Sequence, residues 1–113
     1  MQIKPGADVR FLRPEVTARL WTIEQCFRHH APDEYTFVLT SGSDGTHSAN
    51  SLHYKGLAVD IRRWYMADGK RTDLGRNTLG RIRNSLAKAL GSDWDIILES
   101  SHMHLEFDPP RVV

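Results

Sequence analysis

A chain of 113 residues, 40% hydrophobic and 26% charged, has the size and composition of one globular domain able to bury a core of its own. Fifteen basic against 14 acidic residues give a net charge of +1, which argues against the concentrated basic surface of a dedicated nucleic-acid binder. No run approaches the roughly 18 apolar residues of a membrane span. Cys26 stands alone, so neither an internal disulfide nor a cysteine-pair metal knuckle can form.

Residues 1–13 read as an extended lead-in, with Pro5-Gly6 marking a turn. Pro14 suits the first turn of a helix, where its missing N–H costs nothing, and Glu15 favours the same end through the helix dipole. Val16, Leu20, Ile23 and Phe27 recur at helical spacing, predicting one amphipathic helix that ends around His29-His30 before Pro32. Both histidines sit where positive charge suits a helix C-terminus, and Cys26 reads as a small core hydrophobe. Tyr35 to Thr40, rich in aromatic and β-branched residues, predicts a central strand. Ser41 to Asn50 is a polar, glycine-containing loop with His47 inside it, placed to line any site formed around Ser51 to Asp60.

Leu57, Val59 and Ile61 alternate with Ala58, Asp60 and Arg62, the pattern of a half-buried strand carrying Asp60 opposite its apolar face. Arg63 to Leu74, with few apolar anchors beyond Trp64 and Tyr65, reads as a rim loop. Leu79, Ile82, Leu86 and Leu90 predict a second amphipathic helix closed by Gly91, its charges from Arg76 to Lys88 forming a solvated face. Trp94–Leu98 and His102–Phe107 then read as two strands joined by the tight Glu99-Ser100-Ser101 segment, and Pro109-Pro110 ends the last one. This order, without repeat or linker, predicts one α+β domain over 1–113, with a mainly antiparallel sheet and two packed helices.

The chemistry lies in two clusters. His53 and Asp60 are too far apart in sequence to stack on one helix face, so they meet only if a turn brings the chain back. On a strand, His102, His104 and Glu106 share one face while Met103, Leu105 and Phe107 pack the core. Zinc in hydrolytic sites takes three protein ligands and keeps a fourth position open. His53, Asp60 and one of His102 and His104 supply such a set, leaving the other imidazole to donate to a developing oxyanion.

Ser51-x-His53-x-x-Gly56-x-Ala58-x-Asp60, followed by Glu99 and a His-x-His strand, resembles the zinc peptidases of the D-Ala-D-Ala carboxypeptidase and L-alanyl-D-glutamate endopeptidase group. The motifs span residues 40–108. The resemblance implies a hedgehog/DD-peptidase-like fold, zinc as cofactor, and hydrolysis of peptidoglycan stem peptides by a phage or bacterial endopeptidase or carboxypeptidase. It makes His53 and Asp60 the first two zinc ligands. For the third, the family shows Glu-x-x-His, which points to His102, and His-x-His, which points to His104; this sequence satisfies both. The His-x-His form favours His104 on the metal, with His102 assisting catalysis and Glu99 as general base.

Ser51 and His47 are candidates for substrate contact. Relatives follow the strand's Ser-Gly with an aromatic residue and an arginine that binds a substrate carboxylate, whereas here Ser41-Gly42 is followed by Ser43-Asp44-Gly45, which leaves Arg62 or Arg63 as replacement anchors. The alternative reading is a non-catalytic, zinc-stabilised binding module or virion component with the same fold. The expected partner is a peptidoglycan peptide, with no nucleic acid and no membrane insertion, and the chain is expected to act as a monomer. Met1 to Asp8 lacks the apolar core of a signal peptide, so synthesis in the cytoplasm is expected, with action on the cell wall after delivery by phage release or in a virion.

Overall fold

The alternation read over residues 57–62 forms the middle of the fold. In the computed structural model, which describes residues 1–44 and 51–110, β3 (Ala58–Arg62) is flanked on one side by β2 (Val38–Ser41) and on the other by β7 (His102–Phe107). Beyond β2 lies the short β1 (Gln2–Ile3) and beyond β7 lies β6 (Trp94–Leu98), giving a five-stranded sheet in the order β1-β2-β3-β7-β6. Only the β1–β2 pair is parallel; the other three are antiparallel. The chain is a compact α+β domain, and the two C-terminal strands have the bounds read from their alternation.

One sheet face makes the core. Val59 and Ile61 of β3, Met103 and Leu105 of β7 and Leu39 of β2 meet Ile23 and Phe27 of α2 (Leu20–His30) and Leu79, Ile82 and Leu86 of α3 (Arg76–Leu90). Each of these side chains is almost fully removed from water, and burying one contributes about 1.5–3 kcal/mol. The two helices pack on each other, and His30 Nε2 lies 2.9 Å from Ser85 Oγ between them, which gives that histidine an interhelical role. Cys26 is half-buried against this core, and burial pushes its thiol pKa up.

Four elements differ from the sequence reading. The strand read over Tyr35 to Thr40 runs instead over Val38–Ser41. The first helix is broken into a single turn, α1 (Pro14–Thr17), and α2, because α1 packs beside β7 while α2 packs on α3, and one straight axis does not serve both. Gln2–Ile3, read as lead-in, adds a strand to β2. The supposed rim loop is a hairpin, β4 (Trp64–Ala67) and β5 (Lys70–Asp73), turned at Asp68-Gly69. Asp68 (φ 51°) and Gly69 (φ 75°) both adopt positive φ, the demand of the two-residue turn that suits strand twist. Arg63 anchors this hairpin: its Nε and Nη2 donate to Asp73 at 2.7 and 3.0 Å, and its Nη1 donates to the Glu99 carbonyl at 2.6 Å.

Candidate metal centre

The second sheet face carries the polar partners of the core residues. Across β3 and β7, Ala58 pairs with Glu106, Asp60 with His104 and Arg62 with His102, so antiparallel register places two imidazoles and two carboxylates on one small patch. On the other side, β2 carries an extra residue between Leu39, opposite Ile61, and Ser41, opposite Asp60. A bulge of this kind bends the strand and re-aims its end, here the Ser41-Gly42 turn beside Asp60.

His53 reaches the patch from a 3-10 turn (Leu52–Lys55). Ser51 caps that turn, its Oγ accepting from the His53 backbone N–H at 3.2 Å. Gly56 ends it in the left-handed region (φ 72°), with the Phe11 carbonyl packed where a Cβ would stand, so the chain can double back into β3. That reversal brings His53 onto Asp60. The Ser51 hydroxyl thus positions His53, whatever further contact it makes.

Three donors converge. Asp60 Oδ1 lies 2.9 Å from His104 Nδ1 and 3.2 Å from His53 Nε2, and the two ring nitrogens are 3.1 Å apart. Donors about 2.0–2.2 Å from a tetrahedral ion stand roughly 3.4 Å from one another, so the group needs to open by only a few tenths of an ångström. His53 and Asp60 are buried and His104 is mostly covered.

The outer nitrogens settle the proton positions. His53 Nδ1 lies 2.6 Å from the Gly42 carbonyl oxygen and His104 Nε2 lies 2.7 Å from Glu106 Oε1. A carbonyl and a carboxylate only accept, so both outer nitrogens carry hydrogens and, in neutral rings, both inner nitrogens present lone pairs. Two lone pairs and a carboxylate oxygen at about 3 Å require a cation between them. Without metal that cation is a proton. Burial by itself pushes the His104 imidazole down, but hydrogen bonds to Asp60 and Glu106 outweigh it and the net shift is up. Burial likewise pushes the Asp60 carboxyl up, yet hydrogen bonds with His104 and His53 hold it well below the usual carboxylate range.

The outer partners are built in. Gly42 sits so close to the Asp8 backbone that a Cβ there would lie 2.2 Å from the Asp8 carbonyl oxygen. Asp44 Oδ1 accepts from the backbone N–H of both Gly42, at 2.8 Å, and Asp8, at 2.7 Å, which fixes the turn. Glu106 follows His104 by two residues on the same strand face; the alternation displays it, but the sequence does not show its contact with the ring.

The remaining predicted residues fall around this group. His102 sits at its edge, Nε2 3.5 Å from Asp60 Oδ2 and Nδ1 2.9 Å from Ser101 Oγ. Glu99, in the turn between β6 and β7, is exposed, and its carboxylate makes no hydrogen bond or ion pair among the described residues. Arg62 stands beside Asp60 and His102 in one cavity. His47 lies outside the described residues.

The fold and this patch define a class: an α+β domain in which a buried His53/Asp60/His104 group could hold a metal ion, with a hydrogen-bonded acceptor behind each imidazole. No family model matches the chain, and no curated protein or solved structure is found similar to it.

Proposed function

We propose that the protein is a zinc-dependent peptidase acting on the stem peptides of peptidoglycan. The observation that carries this reading is the convergence of two imidazole lone pairs and one carboxylate, each imidazole held from behind, beside a cavity lined by His102 and Arg62. Among the described residues the group offers three protein ligands rather than four, which is the hydrolytic pattern. His53 Nε2, Asp60 Oδ1 and His104 Nδ1 would hold the ion. Zinc, when bound, supplies a Lewis acid and lowers the pKa of water to roughly 7.

In this reading the Gly42 carbonyl and Glu106 keep the inner nitrogens unprotonated, and His102, at the cavity edge, donates a hydrogen bond to the oxyanion that forms on the peptide carbonyl. By the motif, Glu99 would take a proton from the attacking water and return it to the leaving amine nitrogen, so that the proton count closes over the cycle. Glu99→Gln is expected to keep zinc bound and to lose cleavage of purified muropeptides, followed by mass spectrometry of the products. Undiminished cleavage would remove Glu99 from the role of base.

The exposed position of Glu99 favours a second reading, a zinc-stabilised binding module or virion component with the same fold. Zinc-loaded protein that sediments with peptidoglycan but releases no peptide fragment would select it.

A further inference from the structure

Val16, Ile23 and Phe27 are fully buried, whereas Trp21, off that stripe on α2, is 72% exposed. Its indole makes no hydrogen bond or ring contact among the described residues. A ring of this size is the side chain with most to gain from burial, so its exposure does not serve the fold. Beside it lies a cavity of about 490 Å³, lined by Trp21, Thr22, Gln25, Arg28 and His29 of α2 and by Ser85 of α3. Trp21, Gln25 and His29 recur about once per helical turn and make one ridge of α2. The helices cover the core face of the sheet, so this cavity lies on the side of the domain away from the metal group.

The lining narrows what the cavity can hold. Arg28 Nε donates to Glu24 at 2.8 Å, so the charge of this guanidinium is already compensated and is not offered to a phosphate or a nucleic acid. Hydroxyl, amide, imidazole and guanidinium groups make up most of the wall, which does not suit a continuous apolar protein surface. The complement is an uncharged ligand with a flat C–H face for the indole and several hydroxyl or amide groups around its edge. A pyranose ring has that form, and one aromatic wall with a few polar groups to fix orientation is the usual build of a small-molecule site.

We infer that this cavity is a sugar-binding subsite for an N-acetylated hexosamine, with the C–H face of the ring on Trp21 and its hydroxyl and acetamide groups bonded by Thr22, Gln25 and Arg28. The choice of an N-acetylated sugar rests on reading the metal face as a peptidoglycan peptidase, because the stem peptides of that polymer are carried on N-acetylated amino sugars. The pyranose itself rests on the cavity alone. A glycan strand held on the helix layer leaves the metal face open to a stem peptide of the same polymer. The subsite thus raises the local concentration of peptide rather than positioning the bond that is cut.

The test is a titration of the isotope-labelled full chain, equilibrated with zinc, followed through the Trp21 indole N–H and the Gln25 side-chain amide resonances. The probes are N,N′-diacetylchitobiose and cellobiose, which share a linkage and differ in the acetamido groups. Diacetylchitobiose is expected to shift both resonances saturably while Trp64 and Trp94 stay fixed, and cellobiose to bind at least about tenfold more weakly. In Trp21→Ala the Gln25 amide is expected to lose its response, with zinc content and the Trp64 and Trp94 signals reporting an intact fold. Saturation by neither sugar, a response centred on Trp64 or Trp94, or a Trp21→Ala chain that binds as tightly as the parent would overturn the subsite. Cellobiose binding as tight as that of diacetylchitobiose would overturn the assignment to an N-acetylated sugar. A Trp21 resonance that moves on dilution of the protein and not with either sugar would overturn it in favour of a second copy of the chain. A chain that binds the disaccharide but cleaves no muropeptide keeps the subsite and loses the peptidase reading; one that cleaves muropeptides without binding the disaccharide does the reverse.

Discussion

Glu106 gives a quantitative handle on the metal centre because it touches the group only through His104. Its Oε1 accepts from His104 Nε2 at 2.7 Å, and both side chains are mostly covered, so the contact is a charge-assisted hydrogen bond in a site of reduced dielectric. Such a bond contributes about 1.5–3 kcal/mol, and about 1.4 kcal/mol is tenfold in a binding constant. In Glu106→Gln the amide oxygen still accepts but the charge is gone, so zinc affinity is expected to fall about tenfold. In Glu106→Leu no acceptor is left, the ring is free to present a proton inward, and the loss is expected to approach about a hundredfold. Competition with a chromophoric zinc chelator at fixed pH measures both. Affinities for both variants within about twofold of the parent would refute the claim that Glu106 sets the His104 tautomer.

The metal-free chain carries its own pH signature. The imidazole of His104 is raised from its ordinary value of 6.5, so its contribution to stability is complete below 6.5 and is lost as pH rises through the raised value. The Asp60 carboxyl is lowered from 3.8, so its contribution is present above 3.8 and is lost as pH falls through the lowered value. Tm of metal-free protein is therefore expected to be highest between these ordinary values and to decline on the alkaline side. The Tm gain on adding zinc should grow over the same rise, because zinc displaces that proton; a metal-free Tm that climbs from about pH 6 to about pH 8 would contradict the assignment. Gly42→Ala forces a Cβ to 2.2 Å from the Asp8 carbonyl oxygen and shifts the carbonyl that holds His53. It is expected to cost about 1–3 kcal/mol by denaturant unfolding and to weaken zinc binding, and a variant unchanged in both would show that the turn does not position His53.

What sequence displays and what it hides divide along local and long-range lines. Strict alternation makes 94–98 and 102–107 readable as strands, and the same alternation places His102, His104 and Glu106 on one face without knowledge of any pairing. The pairing of Asp60 with His104 depends on the register of β3 against β7, which alternation alone does not fix. The hairpin at 64–73 escapes such a reading because β4 is a short unalternating run, Trp64-Tyr65-Met66-Ala67, and β5 is polar and mostly exposed, so no apolar period announces it; its signal is Asp68-Gly69, the pair that tolerates two successive positive φ values. The two-residue β1 is too short to carry a pattern and takes its order from β2. Backbone groups such as the Gly42 carbonyl leave no trace in a list of side chains, although they complete the site. The hedgehog/DD-peptidase-like character of the fold stays a proposal on the motif, while the α+β architecture stands on the strands and helices themselves.

The most direct measurement is the metal content of the purified full chain by elemental analysis after zinc reconstitution, alongside His53→Ala, Asp60→Ala, His104→Ala and His102→Ala. One zinc per parent chain is expected, with little in the first three variants and near-parental content in His102→Ala, since His102 stands at the edge of the group rather than in it. A parent chain without zinc, or a His102 variant that loses zinc while His104→Ala keeps it, would contradict the central claim that His53, Asp60 and His104 form the metal site.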